Sequence, residues 1–256
     1  MTAVYVEEGP DQGAIWHFGE PNKEQKALEE GKAWADLSHL SVIAVSGVDR
    51  LKWLHDLTTQ YLVDFGAGTW TSAMVLDPQG HVEYQFVLVD DGNTSWIVID
   101  PPYVQGLLEY LNKMRFMLRV EVRNASSEFA VLRAPGKATD IGGPFALVPR
   151  SEIAEMEEVF GTTAMQVGTW ALDAERVAAG RPRHCRERHS AHHDRCRGLV
   201  AQIGQEKSAA SYDSLTLFES FEPIWLQRSS PRRFRSMFVT SPTNHFGRSR
   251  YCGSAK

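Results

Sequence analysis

Leu51, Leu54 and Leu57, with Trp53 beside them, recur at helical spacing through "RLKWLHDLTTQYLVDF", which predicts a helix over 50–65. The stretch before it has another character. "SVIAVSGV" is rich in β-branched residues and stops at Gly47, the pattern of a strand, and Asp49 is placed to cap the helix that follows. Upstream, "NKEQKALEEGKAWADL" sets Ala27, Leu28, Ala33 and Trp34 among charges and predicts a weakly amphipathic helix leading towards Leu37. Downstream, "TWTSAMVLDPQGHVEYQFVLVDDGNTSWIVID" reads as a meander. It has a strand, a turn at "DPQG", a strand from Val82 to Val89, a turn at "DDGN" and a third strand through Trp96 to Ile99. Both turns place their Asp, Pro and Gly where tight turns use them. "PPYVQGLLEYLNKMRFML" predicts a second helix, with Pro101 and Pro102 at its start, where a missing N–H is tolerated. "RVEVRN" and "EFAVLRA" add two strands. The order β, α, β, β, β, α, β, β, with hairpins between strands, predicts an α+β fold rather than a doubly wound parallel sheet.

Composition bounds this picture. A chain of 256 residues with 43% apolar content can fill one large core or two modest ones. It holds no apolar run of about eighteen residues and no basic leader ahead of an apolar stretch. Neither a membrane span nor a signal peptide is therefore expected, a membrane is not an expected partner, and the cytoplasm is the default location. The three cysteines, Cys185, Cys196 and Cys252, are odd in number and form no regular framework, so an extracellular disulfide scaffold is not expected. Charge divides the chain. Residues 1–183 carry 15 Lys+Arg against 26 Asp+Glu, or −11, whereas residues 184–256 carry 12 against 6, or +6. A basic tail can bind nucleic acid through phosphates, but this one lacks the Arg/aromatic alternation of a stacking platform, so direct nucleic-acid binding is not expected.

Candidate chemistry is sparse. "HCRERHSAHHDRC" gathers Cys185, His189, His192, His193 and Cys196, all donors that zinc accepts. Its spacing lacks the paired knuckles of a structural site, and no metal site is expected. "GVDR", "GAG" and "GG" do not have the spacing of a phosphate-cradling loop, and neither G-x-S-x-G nor H-E-x-x-H occurs. His39, His55 and His81 have no obvious carboxylate partner close in sequence, so they read as partly buried or turn-side polar residues rather than general bases.

Four segments carry a family resemblance: "ADLSHLSVIAVSGVDRLKWLHDLTTQ", "SAMVLDPQGHVEYQFVLV", "LNKMRFMLRVEVRN" and "ALDAERVAAGRPR". In this order and at these separations the chain, over about residues 15 to 183, resembles the YgfZ-like folate-binding proteins, relatives of the glycine-cleavage T-protein. The resemblance implies a multi-lobed α+β body around a folate-sized cavity. A C-terminal β-barrel should follow a K-G-C-Y-x-G-Q-E signature. It also implies a role in folate-linked maintenance of iron–sulfur enzymes, including enzymes that modify tRNA, with tetrahydrofolate as cofactor and iron–sulfur enzymes or their assembly proteins as partners. Carried onto this sequence, it places Gln60, Met74, Tyr84, Gln85 and Arg176 at the cofactor and implies no catalytic residue and no metal ligand.

The same resemblance separates two branches. T-proteins have two adjacent aspartates where this chain has Tyr84 and Gln85, and neither replacement carries a negative charge at neutral pH. Aminomethyl transfer by the T-protein mechanism is therefore not expected. The "ND" after the first family helix is matched by Gln60 and Tyr61, as in the YgfZ-like branch. The pterin-binding glutamate of T-proteins is matched by Ala178 in "VAAG", which predicts weakened folate affinity, since alanine accepts no hydrogen bond from the pterin.

After Arg183 the family pattern stops. Moving the reading frame through "SAHHDRCRGLV" forward by one nucleotide permits R-R-T-T-I-A-A-E-V-W, close to the missing family segment, and a frameshifted tail is the expectation for His184 onwards. The expected organisation is an α+β folate-binding-like lobe over 1–125, a second α+β segment over 126–183, and a poorly packed, metal-free basic tail over 184–256, with the barrel missing or disrupted. The leading functional expectation is a non-catalytic folate-binding accessory protein. A tetrahydrofolate-dependent aminomethyltransferase and an interaction module with a nucleic-acid-binding tail are the alternatives.

Overall fold

The computed structural model describes residues 2–183. A short antiparallel ribbon, β1 (Val4–Tyr5) and β2 (Ile15–His17), comes first. Helix α1 (Pro21–Glu29) follows, with Pro21 at its start, where no N–H is needed. Gly31, at φ +73°, turns the chain into β3 (Ala33–Asp36). The single helix expected across this stretch is thus a helix and a strand. Two-residue alternation explains it: Ala33 and Ala35 pack on one side of β3 and Trp34 on the other, and strands from far along the chain hydrogen-bond both edges.

Strand β4 (Ser41–Ser46) leads to α2 (Arg50–Leu57), eight residues shorter than its pattern predicted. Thr58 is extended, and its hydroxyl donates to the Leu54 carbonyl at 2.8 Å, so the helix stops there. Asp49 occupies the N-cap position but makes no cap. Its carboxylate instead accepts from the backbone N–H, Nε and Nη2 of Arg119, each at 3.0 Å. Strands β5 (Trp70–Leu76), β6 (Val82–Asp90) and β7 (Thr94–Ile99) form the expected antiparallel meander. In the first turn Asp77 Oδ1 accepts the N–H groups of Gln79 and His81, and in the second Asp91 Oδ1 accepts those of Asn93 and Thr94.

A 3₁₀ turn at Pro101–Tyr103 opens α3 (Val104–Met114), which ends four residues before its pattern did. Then come β8 (Glu121–Asn124), β9 (Phe129–Arg133), β10 (Phe145–Pro149), α4 (Ile153–Gly161), β11 (Met165–Gln166) and α5 (Thr169–Ala178).

These elements stack as layers. The first sheet runs β5-β6-β7-β4-β8, antiparallel throughout, and the second runs β10-β9-β3-β11, with β11 parallel to β3. Helices α2 and α3 cover one face of the first sheet, where Ile43, Leu54, Leu88, Ile97, Leu107 and Leu111 are fully or almost fully buried. Each such side chain contributes roughly 1.5–3 kcal/mol relative to exposure. The other face of that sheet, with Val42, Val89, Trp96 and Val98, packs on Leu37 and Val131 of the second sheet's segments. The far side of the second sheet is closed by α4 through Phe160, while α1 and α5 pack on β3 through Leu28 and Ala171. The second sheet therefore takes strands from both sides of residue 125.

One buried ion pair pins the meander to α2. Asp90, at the end of β6, accepts from Arg50 Nε at 2.8 Å and Nη2 at 2.7 Å, and also from Ser95 Oγ and the Gly92 N–H. Burial opposes its ionisation, but the hydrogen bonds from Arg50 and Ser95 prevail and hold its carboxyl below the usual range.

Candidate functional site

Strand register builds the floor of the site. Met74 of β5 lies opposite Gln85 of β6, and Val87 lies opposite Val98 of β7, so alternation brings Gln85 level with Asp100 on the face towards the second sheet. The loop after α2 is tied to this row, because the Thr59 N–H donates to the Met74 carbonyl at 2.9 Å and the Met74 N–H to Thr59 Oγ1 at 3.2 Å. Gln60 follows directly, its carbonyl 3.3 Å from His55 Nδ1. The chain leaving α5 returns to the same place, where Gln85 Nε2 donates to the Pro182 carbonyl at 3.2 Å. Arg176 joins from the helix: its Nη1 donates to the Arg181 carbonyl at 3.1 Å and its Nε to Asp173 at 3.0 Å.

Four of the five residues expected at a cofactor, Gln60, Met74, Gln85 and Arg176, are thereby linked through short backbone bridges. Tyr84 is not among them. As the neighbour of Gln85 in a strand it faces the opposite side, where it packs in the core beneath α3, 6.2 Å from the ring of Tyr110. Gly106 makes room for it, since a Cβ there would stand 2.8 Å from the Tyr84 hydroxyl.

Arg183 organises the charges around this row. Its guanidinium donates to both oxygens of Asp11, with Nη2 to Oδ1 at 2.7 Å, and to both oxygens of Asp100, at 3.0 Å from Nε and 2.6 Å from Nη2. His39 Nε2 lies 2.8 Å from Asp11 Oδ1. Burial opposes the charge on Asp11, yet the hydrogen bonds from Arg183 and His39 outweigh it and hold the carboxyl far below its ordinary value. Burial likewise works against the Arg183 cation, and its bonds to Asp11 and Asp100 reverse that and raise its pKa. Beside α5, Glu175 stands 3.8 Å from the fully buried Arg133 and 3.7 Å from Arg181, and burial pushes its carboxyl upward against the pull of both cations.

A cavity of about 310 Å³ opens beside Arg183, lined by Asp11, Trp16, Thr169, Asp173 and Arg176 among others. Trp16 meets Trp170 edge-on at 5.3 Å. This wall depends on a glycine and a buried acid. A Cβ on Gly168 would lie 2.1 Å from the Trp16 carbonyl oxygen, and the fully buried Glu24 accepts from the Gly168 N–H at 2.9 Å and the Phe18 N–H at 2.7 Å.

One histidine departs from its sequence reading, and a second finds its acid far along the chain. His81 does have a carboxylate close in sequence, Asp77, whose Oδ2 lies 2.8 Å from Nδ1 because the "DPQG" turn folds residue 81 back on residue 77. His39 has Asp11, twenty-eight positions away. Sequence reasoning also missed Asp11, Asp100 and Arg183 as a unit. The available signal was a charge ending the apolar strand "SWIVID" and another closing "AAGRPR". Among the described residues no group of three or more His, Cys, Asp or Glu could hold a metal ion. The His/Cys cluster from His184, and the frameshift and barrel expectations, lie outside the described residues.

No protein-family model matches the chain. A curated protein of Arabidopsis thaliana, named "Putative transferase At1g60990, chloroplastic", is 24% identical over 130 residues, 49% of this chain and 29% of that protein. The crystal structure of the glycine cleavage system aminomethyltransferase T from Bartonella henselae superposes with a TM-score of 0.59 at 16% identity, covering 70% of this chain and 59% of that one. The chain thus spans less than a third of the first relative and under two thirds of the second. The likeness establishes a mixed α+β fold of the aminomethyltransferase T type.

Proposed function

We propose that this protein is a YgfZ-like, folate-binding accessory protein of the cytoplasm, which binds tetrahydrofolate weakly and does not transfer aminomethyl groups. Its partners in this reading are iron–sulfur enzymes or their assembly proteins, tRNA-modifying enzymes among them. One observation carries the proposal: the row Met74, Gln85, Asp100 presents an amide where T-proteins have a carboxylate, and the one acid on that row is committed to Arg183. A carboxylate held by two guanidinium N–H groups is poorly suited to steer developing positive charge on a folate-bound carbon.

The residues present suit a folate in kind. Arg176, for which Asp173 would have to be exchanged, supplies a guanidinium for the ligand's carboxylates, Trp16 an aromatic face, and the amides of Gln60 and Gln85 supply donors and acceptors for a pterin edge. Bound tetrahydrofolate would supply a one-carbon carrier. The protein's own contribution is to bind it, orient it and keep the acid of the strand row, Asp100, paired with Arg183. Isothermal titration of the full chain with tetrahydrofolate, alongside a reconstituted glycine-cleavage assay, tests this reading. Binding in the micromolar range or weaker with no turnover is the expected result. Turnover that disappears in Asp100→Asn would overturn it in favour of a T-protein-like transferase.

A further inference from the structure

At the opposite end of α2 from the Gln60 loop, the turn between α3 and β8 holds three successive large apolar residues in water. Phe116 is 80% exposed, Met117 98% and Leu118 44%. Val48, 72% exposed, lies at the same end, between Gly47, where a Cβ would stand 2.0 Å from the Arg119 carbonyl oxygen, and Asp49, which accepts from the Arg119 N–H. Phe116 is also the only non-glycine residue with positive φ among the described residues, at +47°. That conformation favours glycine or asparagine, and an aromatic ring that is 80% exposed there buries little surface in return. The strain and the exposure coincide at one tip.

Cations surround that tip. Lys113 and Arg115 precede it, Arg119 follows it, and Lys52 lies on the adjacent first turn of α2. The acids nearest the tip are Asp49, which Arg119 already neutralises, and Glu121, while Glu109 and Asp56 lie one helical turn further from it than Lys113 and Lys52. The local excess is positive on a body that is otherwise strongly acidic.

We infer that the Phe116–Leu118 tip docks the protein on an anionic bilayer surface, with the apolar side chains entering the headgroup boundary and Lys52, Lys113 and Arg115 facing acidic lipid headgroups. The shape of the patch selects this occupant. Three side chains and Val48 on a convex turn fall short of the roughly 800 Å² per partner of a stable protein interface, and a tip has no concavity to complement. A bilayer requires neither: shallow insertion adds affinity by apolar area, and basic residues at headgroup level add attraction to acidic lipids. Such docking uses no spanning segment, so it departs from the sequence expectation that a membrane is not a partner.

Co-sedimentation of the full chain with phosphatidylcholine vesicles, with and without phosphatidylserine, tests the inference. Partition should be about tenfold stronger with phosphatidylserine. It should fall at least tenfold in Phe116→Ser/Met117→Ser, and Lys113→Glu/Arg115→Glu should abolish the lipid preference. Met117→Ser alone, at a nearly fully exposed site, is the variant to use if the double replacement melts early. Absence of phosphatidylserine-dependent partition would overturn the inference. So would partition unchanged in the serine variants, which would place binding elsewhere on the chain, or self-association through the tip without vesicle binding.

Discussion

Replacing Arg183 with methionine tests the charge network directly. The guanidinium bridges Asp11 and Asp100, whose side chains are only 13% and 17% exposed, and its removal leaves two carboxylates facing one another without a shared cation. Breaking a buried pair by deleting one partner costs about 3–5 kcal/mol, and the 25% exposure of the Arg183 side chain sets the expectation at the lower end, about 3 kcal/mol. At about 2–4 °C per kcal/mol for a body of this size, the melting midpoint followed by circular dichroism should fall by about 6–12 °C at pH 7.

Acidification distinguishes this cause from simple loss of packing. In the native protein Asp11 titrates below its unfolded value, so its contribution is complete above about pH 4 and is lost as pH falls through the lower native value. In Arg183→Met the chief opposing cation is gone and His39 alone works against burial, so the native carboxyl titrates closer to its unfolded value and the variant loses less stability on acidification. The gap between the two proteins should therefore narrow by at least about 1 kcal/mol between pH 7 and pH 3. A gap that is pH-independent, or below about 1 kcal/mol at pH 7, would refute the electrostatic account.

The Arg50–Asp90 pair should behave in a related way: Asp90→Asn is expected to cost about 3 kcal/mol or more in urea unfolding, and the apolar pair Arg50→Met/Asp90→Leu to recover much of that loss. Additive losses in the double variant would count against it. Gly168→Ala should cost about 1–3 kcal/mol and alter the fluorescence of Trp16 and Trp170, because the new methyl meets the Trp16 backbone; an unchanged emission spectrum would argue that β2 is not held there. Leu28→Ala, at a fully buried site between α1 and α5, should cost about 2–5 kcal/mol in the same urea assay.

Local chemistry explains which parts were legible beforehand. The meander was readable because its turns are closed by their own Asp77 and Asp91, so sequence neighbours carry the geometry. The segment from Ala33 to Asp36 was not, because its strand identity comes from β9 and β11, about a hundred residues away. Asp49 shows the same limit. It has the right residue type for a cap, but Arg119 offers two guanidinium donors and a backbone N–H. At the site, the family resemblance marked Gln60, Met74, Gln85 and Arg176, and register and short bridges link them. It could not place Tyr84 on the other face, nor join Asp11, Asp100 and Arg183, since no local pattern reports a contact spanning 172 positions.

That span has a consequence for synthesis. A nascent chain carrying everything up to α5 holds Asp11 and Asp100 without their common cation, and Gln85 without the Pro182 carbonyl. The meander with α2 and α3 contains its own core and can form early, whereas the bridge from the first ribbon's Asp11 to the meander's Asp100 closes only after residue 183 clears the exit tunnel. A ribosome pausing shortly before that point would display Asp11 and Asp100 without the guanidinium that joins them, and one that has passed it would display the two carboxylates bridged.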